Sequence, residues 1–189
     1  MADMREIPSL DQLEAELSRV RQKKRRRSVA VTIIFATVTL LAACVLAASL
    51  WLPILEVYGT SMEPTYQKGD HLVALRTEDW GCGDVIAFYH NNTVQIRRLI
   101  AGPGDLVEID DRGIVSVNGT LLPEPYLTSA VPGQCDLEFP CQVPEGCWFV
   151  LGDNRSESID SRSSVVGFVT RDRIIGRILF RLWPITETE

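Results

Sequence analysis

Hydrophobic and polar positions divide this chain into three unlike stretches. In residues 1–27, Leu10, Leu13, Leu17 and Val20 fall at helical spacing among charges, and Ser9-Leu10-Asp11-Gln12 has capping-box form. Two readings are open there: a short amphipathic helix lying on a membrane surface, or a frayed polar tail with incidental leucines. From Ser28 to Leu55 no charged residue occurs. A helix of that length exceeds the roughly 30 Å hydrocarbon core, which about 20 residues span, so a transmembrane helix is expected over residues 28–52. Beyond it, short runs rich in Val, Ile and aromatics recur between turn signals: His71–Leu75, Asp84–Tyr89, Val94–Ile100, Leu106–Ile109, Ile114–Val117, Trp148–Leu151 and Ile174–Leu182. Asn118-Gly119 predicts a two-residue hairpin, because both positions accept the positive φ of that turn. Fixed-period repeats and nucleotide-binding glycine patterns are missing. The expected fold is mostly β: a single N-terminal transmembrane helix followed by a β-rich domain over residues 56–189, enough chain for one core.

Charge adds direction. Residues 1–27 carry eight Lys/Arg against five Asp/Glu, and Arg21–Ser28 reads RQKKRRRS immediately before the apolar run. The positive-inside rule holds such a cluster in the cytoplasm and places the C-terminal body outside it. That body carries 11 Lys/Arg against 20 Asp/Glu, which argues against nucleic acid as a partner, since such binding needs a basic face. A cleavable secretory signal has an apolar region of about 7–15 residues, shorter than this one. Leu41-Ala42-Ala43-Cys44 is shaped like a lipoprotein processing site, yet the chain stays apolar from Val45 to Leu55. All three readings export the body, and an anchor fits the length best. At 46% hydrophobic and 23% charged residues, the chain is neither disordered nor of low complexity.

Four of the five cysteines, Cys82, Cys135, Cys141 and Cys147, lie in the exported body, where disulfides are permitted and three full pairings are possible. Zinc ligation needs closer ligand pairs or nearby histidines, so no metal is expected.

Three blocks carry chemistry. The first is Gly59-Thr60-Ser61-Met62-Glu63-Pro64-Thr65, a serine among small residues at a proline turn. The second is Ile96-Arg97-Arg98-Leu99-Ile100-Ala101-Gly102-Pro103-Gly104-Asp105, a strand running into a tight turn. The third joins Gly152-Asp153-Asn154-Arg155 to Ser158-Ile159-Asp160-Ser161-Arg162. Each alone reads as turns and solvated ion pairs. In this order they resemble the type I signal peptidases, with an ending and a short anchor similar to members from Gram-positive bacteria. The resemblance covers the anchor and nearly all of residues 56–189.

The resemblance implies a membrane-bound serine endopeptidase, with no cofactor, that removes signal peptides from exported preproteins by cutting after small residues. Its partners would be those signal peptides and the lipid bilayer, with Trp51, Trp80, Phe139 and Trp183 as aromatics that could meet lipid. It implies Ser61 as nucleophile and a lysine base at the first position of the pair that here reads Arg97-Arg98. It also implies that Ser158 bonds the base, that Asp160 pairs with Arg162, and that Asp153 pairs with Arg98. The oxyanion would be met by the Ser61 N–H. The position that carries a hydroxyl in some members is Gly59, leaving Thr60 as the neighbouring helper. The substitution at the base matters chemically. A desolvated lysine can shed its proton near neutral pH, whereas arginine effectively cannot. Lys68 is the only lysine after residue 27, and His71 and His90 do not align with the base. The alternative function is therefore a catalytically impaired homologue that binds signal peptides or a partner peptidase.

Overall fold

The computed structural model describes residues 10–184. The chain separates into two units, residues 1–50 and residues 51–189. The described residues of the first form one helix, α1 (Leu10–Trp51), without glycine or proline in its 42 residues. At 1.5 Å per residue it is about 63 Å long. The expected capping serine, Ser9, lies outside the described residues. The basic cluster does not interrupt the helix, because Lys and Arg are good helix formers. It stops at Trp51, two residues before Pro53, which has no N–H to continue the ladder.

Residues 21–51 of α1 are long and apolar enough to cross a membrane. Their large side chains are exposed within the chain, Phe35 and Val45 among them. The hydroxyls in this stretch turn back on the helix: Thr32 donates to the Ser28 carbonyl at 3.0 Å, Thr39 to Phe35 at 2.8 Å and Ser49 to Leu46 at 2.8 Å. Such bonds let polar side chains sit in an apolar span without an unsatisfied donor.

The second unit is built from two antiparallel sheets. The larger takes β1 (Ile54–Glu56), β2 (His71–Leu75), β3 (Val85–His90), β4 (Thr93–Ala101), β9 (Cys147–Leu151), β10 (Val169–Thr170) and β11 (Ile174–Trp183). Their spatial order is β1-β2-β11-β3-β4-β9-β10, so the last strand returns to lie between β2 and β3. The smaller sheet has the order β7-β6-β5-β8, from β5 (Leu106–Ile109), β6 (Val115–Val117), β7 (Thr120–Leu121) and β8 (Cys141–Gln142). Asn118 and Gly119 hold positive φ (53° and 74°) between β6 and β7, the hairpin expected from their sequence. A second such turn, at Asn91 (46°) and Asn92 (61°), joins β3 to β4. Asparagine tolerates this conformation better than other side chains.

Phe88, Ile86, Leu99 and Val150 fill the core around the larger sheet, while Ile100, Phe149, Leu151, Val107 and Val115 seal it against the smaller one. Trp80 packs edge-on against Trp148 and Phe139 against Phe149, so these two aromatics serve the interior. Trp51 and Trp183 remain exposed. All five cysteines are free thiols.

One feature of register sets up the site. β4 pairs with β3 from residue 93 to residue 98, but with β9 only from Arg98 onward. On the β9 side, residues 93–97 therefore have no strand neighbour.

Candidate active site

Ser61 stands on a tight turn between β1 and β2. The Glu63 N–H donates to the Thr60 carbonyl at 3.1 Å, and the Tyr66 N–H to that of Met62 at 2.9 Å. Met62, 1% exposed, plugs the turn into the core. A buried Asp70 ties its far end, accepting from the Gln67 N–H and from Arg181, both at 2.9 Å. Ser61 itself is half-buried.

Strand β4 delivers Arg97 to the serine: its Nη1 donates to Ser61 Oγ at 2.9 Å. Nη1 also reaches the Ile96 carbonyl at 2.6 Å, and Nη2 that of Ile159 at 2.9 Å. Arg97 is 7% exposed. Burial pushes its pKa below the ordinary arginine value, with Asp160 opposing that shift and Arg162 adding to it. The ordinary value is so high that the side chain stays a cation at neutral pH. Every contact it makes is therefore as a donor, and it polarises the Ser61 hydroxyl without taking its proton.

The loop after β9 folds over this pair. Asp160, fully buried, accepts from the Gly152 N–H at 2.9 Å and from Nε and Nη2 of Arg162 at 2.8 Å each. Arg162 also donates to the carbonyls of Pro132 and Arg155, at 2.6 and 3.0 Å. Asp153 forms a two-toothed pair with Arg98, at 2.9 and 2.5 Å, and takes the Thr65 hydroxyl at 2.5 Å. Arg98 lies over the Tyr126 ring, 3.9 Å from its centroid. These pairs are buried and hydrogen-bonded throughout, which is the arrangement that keeps buried charge tolerable.

Three groups that sequence reasoning passed over hold the nucleophile turn. The Asn154 N–H donates to the Ser61 carbonyl at 3.0 Å, and its side-chain amide to the Thr60 carbonyl at 3.2 Å. Arg155 donates to the Gly152 carbonyl at 3.1 Å and pairs with Glu124. Gly152 is needed for its size: a Cβ there would lie 2.2 Å from Ser158 Oγ and 2.6 Å from the Ser61 carbonyl oxygen. The Gly-Asp-Asn-Arg run was the available signal, but not which partner each residue would find.

Ser158 departs from what the resemblance implies. Its Oγ is buried with no hydrogen-bond partner, as is Nε of Arg97. The Arg97 fork spends its terminal nitrogens on Ser61, Ile96 and Ile159, so no bond to Ser158 forms. Among the described residues no acceptor takes the Ser61 N–H, which leaves it free for an oxyanion. Gly59 is exposed, and Thr60 contributes its carbonyl to the turn. Lys68 is exposed and does not line the space around Ser61, and no metal-binding cluster occurs among the described residues.

That space is a groove of about 230 Å³. Residues 56–59 with Ser61 and Met62 form one wall, and residues 93–97 the other. The first wall runs from the end of β1 into the serine turn, and the second is β4 over the residues that lack a β9 neighbour. A larger polar cavity of about 380 Å³, lined by Glu63, Gln67, Asn154 and Arg155, reaches neither Ser61 nor Arg97.

A nucleophile turn, a partly unpaired strand and a folded-over polar loop are spread over the same residues that a family model described as signal peptidase, peptidase S26, matches at 27–183. The chain belongs to that family. Signal peptidase I of Bacillus licheniformis is 34% identical over 163 residues, 79% of this chain and 86% of that protein. Signal peptidase IB of Staphylococcus aureus (strain COL) is 33% identical over 151 residues, 69% of this chain and 78% of that protein. A crystal structure of a signal peptidase I from Enterococcus faecalis V583 is 35% identical, covering 55% of this chain and 98% of that one, with a TM-score of 0.47. As a signal peptidase, the chain is a hydrolase of the signal-peptide processing type, and its apolar N-terminal helix is compatible with a membrane anchor.

Proposed function

We propose that this chain is a membrane-anchored serine endopeptidase of the signal peptidase I type, which removes N-terminal signal peptides from exported preproteins by cutting after small residues. One observation carries the reading: Ser61 Oγ lines a groove between the end of β1 with its following turn and the stretch of β4 that has no β9 partner, and is held by a buried cation at 2.9 Å. An extended peptide adds as a strand to such an edge. It then presents a carbonyl to Ser61 Oγ, with the Ser61 N–H facing the developing oxyanion. Residues 1–27 lie in the cytoplasm, the helix spans the membrane, and residues 56–189 work outside it; Trp51, Phe180 and Trp183 are exposed.

Arg97 occupies the position of the family's lysine and acts as a fixed positive charge rather than as a base. It favours the Ser61 alkoxide, and the proton leaves to water. Loss of a placed base costs about 10²–10⁴-fold in rate, so the enzyme is slow. Asp160–Arg162 and Asp153–Arg98 hold the loop and strand that frame it.

A second reading has its own support. Arg97 only donates to Ser61 Oγ, so a chain that binds signal peptides or a partner peptidase without cutting keeps the same site. The deciding experiment incubates the detergent-solubilised full chain with a preprotein and sequences the new N-terminus. Cleavage after a small residue, lost in Ser61→Ala, is the expected result. No cleavage by the native chain together with cleavage by Arg97→Lys overturns it in favour of the second reading.

A further inference from the structure

Arg97 is a buried guanidinium that meets no carboxylate. Its terminal nitrogens go to one hydroxyl and two carbonyls, and its Nε to nothing. The neighbouring arginines are matched: half-buried Arg98 by Asp153, and buried Arg155 and Arg162 by Glu124 and Asp160. Asp160 also acts on Arg97 through its charge, but its oxygens are taken by Arg162 and the Gly152 N–H. A buried cation without an anion is costly, and this one lines the groove. Two more groups of the site are uncommitted: the Ser61 N–H and the Ser158 hydroxyl. The carboxylate in the groove wall, Glu56, is exposed and accepts the Tyr58 hydroxyl at 3.0 Å.

We propose that this constellation is a binding site for a peptide's C-terminal carboxylate, so that the cut signal peptide is retained as a product and competes with the next preprotein. The inference rests on the peptidase reading, which supplies the peptide in the groove and its direction. Hydrolysis of an acyl group on Ser61 Oγ adds water across the ester. One proton of the water goes to Ser61 Oγ and its oxygen to the acyl carbon; the carboxylic acid so formed releases its remaining proton to solvent and becomes a carboxylate. That carboxylate forms beside Nη1 of Arg97, which already lies 2.9 Å from Ser61 Oγ. One of its oxygens takes the Ser61 N–H, and the other meets the guanidinium, a charge-assisted pairing. A neutral lysine base would offer the product no such charge. A permanent cation binds product more strongly than it binds the uncut, neutral peptide bond.

The test uses the full chain in detergent micelles and a labelled hexapeptide ending in Ala-Ser-Ala. One form has a free C-terminus and the other a C-terminal amide, and both are followed by fluorescence anisotropy. The free acid should bind about 10-fold or more tightly than the amide. Arg97→Gln should abolish that preference while amide affinity stays within about twofold, which also shows that the groove is intact. On the native chain, raising the apparent KM for preprotein cleavage should take about 10-fold more amide than acid. Equal binding of acid and amide by the native chain, or an acid preference surviving in Arg97→Gln, overturns the inference and leaves the peptidase reading standing. Binding of neither form overturns both.

Discussion

Replacing Gly152 by alanine puts a methyl carbon into the tightest part of the site. The new carbon would stand 2.6 Å from the Ser61 carbonyl oxygen and 2.5 Å from Ser158 Cβ, where ordinary contact begins at 3.4 Å. The Ser61 backbone therefore has to retreat by about 0.8 Å. It is fixed there by the Asn154 N–H at 3.0 Å, while Ser158 is fixed by its own N–H on the Asn154 carbonyl at 3.0 Å, so neither wall yields freely. Overpacking of a closed interior costs about 1–3 kcal/mol, which lowers the melting temperature by roughly 5–10 °C in a domain of this size. A displacement near 1 Å between reacting groups costs on the order of 10²-fold in rate. The measurement is preprotein cleavage (kcat/KM) together with thermal melting of Gly152→Ala, beside Gly81→Ala as control. Gly81 has open space around its missing Cβ and no positive φ. Gly152→Ala should lose about 10²-fold in kcat/KM and melt earlier, while Gly81→Ala does neither. A Gly152→Ala chain that matches the native rate and melting temperature would refute the claim that Gly152 sets the distance between the serine turn and the polar loop.

Other consequences follow from single contacts. Asp160→Asn leaves the buried Arg162 without its counter-charge and should destabilise the domain by about 3–5 kcal/mol in urea unfolding, with no rescue by Glu. Ser158→Ala removes a hydroxyl that has no partner, so it should be silent in the native chain and costly only in an Arg97→Lys background; equal effects in both backgrounds would argue against this. Arg173 Nη2 donates to Nδ1 of His90 at 2.8 Å, and burial, then Arg173 and Arg97, push this imidazole below its ordinary value. The unfolded chain then binds the proton first. Stability should be complete above the unfolded value near pH 6.5 and fall as pH drops through the lower folded value. His90→Gln should remove that part of the pH dependence of chemical unfolding.

What the sequence made legible is what repeats locally. Strands such as His71–Leu75 and Leu106–Ile109 declare themselves by β-branched runs between turns, and they form at those positions. β1 was hidden because Ile54–Glu56 continues an apolar run that reads as membrane helix until Pro53 breaks it. Two-residue strands such as β8 and β10 have too few positions to show a period, and only partners remote in sequence define them. At the site, the motif blocks brought Ser61, Arg97, Arg98, Asp153, Asp160 and Arg162 forward by residue type, and the fold gathers them. The roles of Gly152 and Asn154 stayed invisible, because each depends on which backbone carbonyl comes to face it across about 90 positions of chain. The orphaned Ser158 hydroxyl was equally hidden. It follows from the length and planarity of a guanidinium, which carries its donors past the place where an ammonium would stop.

The measurement that bears most directly on this account is the pH dependence of preprotein cleavage by the native chain, beside Arg97→Lys. With a permanent cation at Ser61 and water taking the proton, log kcat/KM of the native chain should climb steadily from about pH 6 to pH 9 without a plateau. Arg97→Lys should be faster by about 10²–10⁴-fold and level off once its lysine is neutral. A plateau in the native profile, marking a side chain that titrates and accepts the Ser61 proton, would contradict the role assigned to Arg97.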